Sequence, residues 1–222
     1  RQYYEKVEPV AESFSDLDPK IDMRWDDTGD GAEDFTGFHR IERYLWPPKA
    51  EQIGDAEGKV TAADAAHGKK NDTPEAIAKT ADQLLTDVRA LKAEVDKPDF
   101  NFDTQLFVNG PKALIDEVAK TKIAGEEDRY SHTDLWDFAA NVEGSQRLIG
   151  ELQPIIEKKD PALMAEITKQ FEAITASIDK LRTPEGYVSY ETVDEATRKS
   201  LSAQIDALSS TLSKVPAAVL GS

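Results

Sequence analysis

The feature that most constrains the fold is a run of apolar residues at helical spacing: Ile77, Ala81, Leu84, Val88, Leu91 and Val95, four, three, four, three and four positions apart. Such a stripe lies on one face of an α-helix and must be covered by another element. Asp72-Thr73-Pro74 opens it with a cap and a proline at the first helical position. A second stripe runs Leu135, Phe138, Val142, Ser145, Ile149, Leu152 and Ile156, and Ser131 with Asp134 resembles a capping box. A third follows Asp160-Pro161, with Leu163, Ile167, Phe171, Ile174, Ile178 and Leu181 facing inward, and stops at Thr183-Pro184-Glu185-Gly186. A fourth carries Leu201, Ile205, Leu208 and Leu212, and shorter helical patterns cover about residues 2–14, 35–46 and 111–121.

Only Tyr187-Val188-Ser189-Tyr190 reads as a short extended piece, so the pattern predicts an all-α chain. Residues 15–31, 47–72 and 98–111 read as irregular. The last of these divides a single domain, 1–222, into pseudo-halves of about 1–100 and 110–222, each with material for about four helices. Two stacked four-helix bundles are therefore expected.

Charge narrows the function. Lys and Arg number 27 against 43 Asp and Glu, a net charge of −16. That surface repels nucleic-acid phosphates and concentrates cations. No apolar run approaches the about 18 to 20 residues needed to span a bilayer. The chain opens inside a helical pattern, which is compatible with removal of an upstream segment such as a signal peptide. Without cysteine it has neither disulfides nor thiolate metal ligands, and the compartment stays open on that ground.

Two constellations carry chemistry. In Gly37-Phe38-His39-Arg40-Ile41-Glu42, the histidine and glutamate are three apart and share a helix face. They form either a solvated pair or two donors converging on one cation. A zinc-protease HExxH motif is excluded, because its glutamate and second histidine positions hold Arg40 and Arg43. There is no cysteine nucleophile, G-x-S-x-G elbow or phosphate-binding glycine loop, and no enzymatic activity is expected. The second constellation, Gly125 to Asp137, packs five carboxylates with His132 and Tyr130 into a loop-to-helix junction. Its acids either complement a helix N-terminus or face His39 and Glu42 to complete an oxygen-rich site. Trp46 and Trp136 are expected in the core or a cleft wall, and Lys69-Lys70 as a solvated basic run able to contact an acidic sugar polymer.

At these constellations the chain resembles the imelysin-like domain family of periplasmic iron-uptake proteins, EfeO and EfeM. The resemblance rests on VEPVAESFSDLDPKID at 7–22, TGFHRIE at 36–42, GEEDRYSHTDLWDFAANVEGSQ at 125–146 and LRTPEGY at 181–187. It implies a pair of four-helix bundles and a metal held by the His-x-x-Glu motif, here His39 and Glu42. It implies iron as the metal, with zinc and copper as alternatives, and a periplasmic monomer working with a membrane iron permease and a haem peroxidase. The likeness is to the short EfeM-like form, without a cupredoxin domain, and relatives of that form imply alginate as an alternative ligand, with Lys69 and Lys70 as its contacts. The peptidase label of some relatives is not carried over. Where the wider family has Gly-Glu-Arg, this chain has Gly125-Glu126-Glu127, a more acidic place. A His-x-x-Glu pair supplies too few donors for a first-row metal. Acids at helix ends are the expected complement: Glu126 in the Gly-Glu-Glu segment, Asp96 at the end of the 74–96 helix, and Asp134.

Overall fold

The long stripes become the long helices of a computed structural model, which describes residues 1–28, 32–56 and 59–221. The helices are α1 (Gln2–Glu5), α2 (Glu8–Ala11), α3 (Asp18–Asp22), α4 (Gly37–Leu45), α5 (Ala62–Asn71), α6 (Pro74–Val95), α7 (Thr104–Glu117), α8 (Asp134–Lys159), α9 (Pro161–Asp179), α10 (Glu195–Leu212) and α11 (Val215–Leu220). A π-helical turn, Val118–Lys122, continues α7. Between α9 and α10 lies an antiparallel hairpin, β1 (Arg182–Thr183) and β2 (Gly186–Tyr187), and among the described residues the other named elements are helical, so the protein is all-α.

The chain forms two compact units: Arg1–Val10 with Phe102–Gly125 and Thr133–Ser222, and Ala11–Asn101 with Glu126–His132. In the larger unit α7, α8, α9 and α10 pack in cyclic order. Every member of the second stripe is buried, joined by Leu163, Ile167, Phe171, Ile174 and Ile178 from α9 and Leu201, Ile205 and Leu208 from α10. Each such large aliphatic side chain contributes about 1.5–3 kcal/mol by leaving water.

In the smaller unit α3, α4 and α6 pack pairwise around Ile21, Phe35, Ile77, Leu84 and Leu91. Gly37 governs the approach of α3 to α4. Its φ is +75°, and a Cβ there would lie 2.2 Å from the carbonyl oxygen of Ile21. Only glycine lets the end of α3 come this close to the start of α4, and the contact carries Asp22 toward His39.

Several local expectations are corrected. The 2–14 pattern breaks into α1 and α2, because Pro9 lacks an amide hydrogen and its ring clashes with the carbonyl four residues back. Helix α5 forms in a stretch read as irregular, capped by Thr61, whose side chain accepts from the Asp64 amide at 3.1 Å. Helix α7 starts at Thr104, before the expected 111, because Asp103 caps the amides of Gln105 and Leu106 and Pro111 is accommodated inside the helix. On α6 the buried positions are Ile77, Thr80, Leu84, Asp87 and Leu91, so Thr80 and Asp87 take the place expected for Ala81 and Val88. Both tracks fit a helix of 3.6 residues per turn, and local bonds satisfy the polar one: Thr80 donates to the Ala76 carbonyl and Asp87 accepts from Gln83. The capping box before α8 does not form. Thr133 is the N-cap, without a side-chain bond, and the Ser131 hydroxyl is used elsewhere.

Candidate metal centre

Helix α4 is short, but its inward face holds three polar side chains, His39, Glu42 and Arg43, all buried. The three-residue spacing does what the sequence implied: Oε2 of Glu42 lies 3.1 Å from Nδ1 of His39. The other Glu42 oxygen, Oε1, accepts from the Tyr130 amide at 3.1 Å, the Ser131 amide at 2.9 Å and the Ser131 hydroxyl at 2.8 Å. With Nδ1–H of His39 donating to the second Glu42 oxygen, Nε2 is the ring nitrogen left to offer a lone pair to a metal.

Nε2 faces a different set of acids. Oδ1 of Asp22 lies 3.6 Å away and Oε1 of Glu127 3.5 Å. Ligand atoms of Asp22, His39 and Glu127 all lie within 4.8 Å of one another, and so do those of His39, Glu42 and Asp128. Two ligands bound 2.0–2.1 Å from one metal sit about 3.0 Å apart at octahedral and about 3.4 Å apart at tetrahedral angles. The two contacts made by Nε2 need only a few tenths of an ångström of contraction to meet that spacing. One imidazole nitrogen with hard carboxylate oxygens suits iron, zinc, manganese or copper.

The segment Glu126–His132 is tied down residue by residue. Glu127 Oε2 accepts from Arg24 at 3.0 Å, Arg129 forks onto Asp26 at 3.1 and 2.5 Å, and the Tyr130 hydroxyl donates to Asp64 at 2.7 Å. His132, with a left-handed φ of 57°, has its Nε2 2.7 Å from Nε2 of Gln52. Beneath lies Arg43, which donates to Asp64 at 2.6 Å and to Asp72 at 2.7 Å. Gly68 makes room for it, since a Cβ there would come within 2.9 Å of Nε of Arg43. Burial pulls the Arg43 pKa down, but the hydrogen bonds and charges of Asp72 and Asp64 outweigh it and the net direction is up. Tyr130 is pushed far up, first by burial and then by Asp64, and stays a neutral donor. His67, whose Nδ1 lies 3.1 Å from Arg43, is pushed down by burial and by the Arg43 charge.

The structure sorts the sequence-based candidates. His39 and Glu42 come together. Glu126 is half-buried beside Glu127, and its carbonyl accepts from Arg129 at 3.4 Å. Asp96 is exposed at the end of α6 and pairs with Lys92. Asp134 is buried in the first turn of α8, within the larger unit. None of these three belongs to either set of converging ligand atoms among the described residues. Lys69 and Lys70 are exposed in the last turn of α5. Trp136 packs edge-on to Tyr187 at 5.3 Å, whereas Trp46 caps the end of α4 with 48 % of its surface exposed rather than buried.

Sequence reasoning missed Asp22, and within the Gly125–Asp137 constellation that it did set facing His39 and Glu42 it singled out Glu126 and Asp134 rather than Glu127 and Asp128. Asp22 ends a one-turn helix and had no periodic partner. Glu127 and Asp128 lie in a segment without periodicity, where adjacent acids are indistinguishable until the backbone assigns each a direction.

This is a helical protein whose smaller unit buries an imidazole among carboxylates. The model of the imelysin family, peptidase M75, matches residues 1–215, and the chain belongs to that family. It is similar to proteins named iron uptake system component EfeO, with 42 % identity to that of Escherichia coli O1:K1 / APEC over 217 residues. Identity is 41 % to the EfeO proteins of E. coli K12 and of Shigella flexneri over the same length. The match covers 97 % of this chain and 51 % of each relative, so the chain spans about half the length of the curated relatives it matches.

Proposed function

We propose that the protein is a metal-binding component of an iron-import system and that iron is its cargo. The observation that carries this reading is the two-sided environment of His39. Glu42 orients one ring nitrogen, and Asp22 and Glu127 converge on the other. The names of the relatives supply the metal, since donor chemistry alone does not separate iron from zinc or copper. In this reading Nε2 of His39 and one oxygen each of Asp22 and Glu127 bind the ion, Asp128 lies at the margin, and Glu42 is a positioning residue. Three protein donors leave coordination positions to water, which suits an ion that must be handed on.

The role is transport rather than catalysis. The relatives' names are those of uptake components, and the protease signature is replaced by Arg40 and Arg43, both committed to Asp72. Among the described residues no helix is long and apolar enough to cross a membrane. That agrees with a periplasmic carrier that passes iron to a membrane permease, with a haem peroxidase of the same system as a second partner. A crystal soaked in ferrous or zinc salt tests the site: anomalous density within about 2.0–2.2 Å of Nε2 is expected. Density bound to Glu42 Oε1, or none at His39, overturns the assignment.

A further inference from the structure

The two oxygens of Glu127 face different groups. Oε1 faces Nε2 of His39 at 3.5 Å, and Oε2 accepts from Nη1 of Arg24 at 3.0 Å. The carboxylate is 4 % exposed, so it is removed from water and needs a positive partner whether or not an ion is bound. Asp22, Glu42 and Asp128 surround the same imidazole, and Arg24 is the guanidinium that reaches this group of acids at Glu127.

Arg24 is also more exposed than Arg43 and Arg129, the other arginines paired with acids near this site. Arg43 is 1 % exposed between Asp64 and Asp72, and Arg129 is 6 % exposed on Asp26. Arg24 is 24 % exposed and sits on the short segment that leads into the single 3₁₀ turn Trp25–Thr28. Its Nε lies 3.5 Å from Asp27, an exposed acid able to receive it. Two reciprocal ion pairs join the segments, Arg24 with Glu127 and Asp26 with Arg129.

We propose that Arg24 is the resident counter-cation of the Asp22–His39–Glu127 site, and that its charge, held on Glu127, opposes the binding of a di- or trivalent metal ion there. This rests on the metal-site reading above and adds what sets the affinity. An incoming cation at Oε1 meets the repulsion of the guanidinium held on Oε2 of the same carboxylate. With the ion gone, Arg24 still offsets the buried charge of Glu127. Arg24 thereby weakens binding and assists delivery, as a carrier requires.

Calorimetric titration with zinc, a redox-inert probe, at pH 7.5 tests it in the wild type, Arg24→Gln, Arg24→Ala, Arg24→Lys and His39→Ala. Removing the charge is expected to tighten zinc binding at least about tenfold, in line with two like charges held a few ångströms apart under partial burial. Arg24→Lys, which keeps the charge, is expected within about threefold of wild type. Equal or weaker binding by both charge-removing variants, with wild-type binding intact and lost in His39→Ala, overturns the counter-cation role and leaves the metal site standing. No zinc binding by the wild type overturns both.

Discussion

The two units bury carboxylates in opposite ways. In the larger one, Glu5 lies 2.8 Å from Arg1 and 3.2 Å from Lys122, and Arg1 also reaches Asp137 at 3.4 Å, so buried acids meet buried cations. In the smaller one, Asp22, Glu42, Glu127 and Asp128 gather around one imidazole. The first arrangement is charge-matched and holds a π-helical turn to α1. The second is rich in negative charge, with Arg24 as a partial counterweight. Burial of charge by itself therefore does not mark a site, and the proposed metal reading rests on the imbalance of sign.

The comparison breaks most decisively in the larger unit. Lys122→Met should destabilise the protein by about 3–5 kcal/mol, because it strips a buried acid of one cation, while zinc affinity stays unchanged; urea unfolding and calorimetry read the two effects separately. In the smaller unit His39→Ala should reverse that signature, lowering metal affinity by about a hundredfold, or about 2.7 kcal/mol, with the helical circular-dichroism signal intact. A hydrogen-bonding partner of a metal ligand is typically worth about 10- to 100-fold, so Glu42→Gln should cost about tenfold. A loss equal to that of His39→Ala would make Glu42 a ligand in its own right.

Asp96→Asn and Glu126→Gln sharpen the contrast between neighbouring acids, since both stand outside the converging sets. Each should change affinity by less than about twofold, well under the 1.4 kcal/mol of a tenfold effect. The smallest effect belongs to His67. Its pKa is lowered in the folded protein, so the unfolded chain binds more protons below the ordinary histidine value. Stability should therefore fall as pH drops below about 6.5. His67→Gln should flatten the denaturation midpoint against pH between about 6.5 and 5, and an unchanged slope would remove His67 as its source.

Helix α4 shows how much of the site was legible. The i, i+3 spacing of His39 and Glu42 fixes a shared face wherever the helix lies, so that half could be read from six letters. The capping-box reading of Ser131 failed for an instructive reason. Glu42 offered the hydroxyl and two backbone amides a stronger, charged acceptor than the helix end did. The same competition separates Glu127 from Glu126: once Tyr130 and Ser131 are pinned to Glu42 and Arg129 to Asp26, the backbone aims one carboxylate at the imidazole and leaves its neighbour half-buried.

The sequence by itself determined the helical class, the long apolar stripes of α8, α9 and α10, the acidic surface and the His39–Glu42 pair, because periodicity, composition and helical spacing are local properties. Tertiary structure alone decided which track of α6 is buried, that α5 forms, and that Asp22, Glu127 and Asp128 join His39. These choices depend on contacts between segments about a hundred residues apart, such as Arg24 with Glu127 and Tyr130 with Glu42. They depend also on one backbone approach that only Gly37 permits, and no local pattern encodes either.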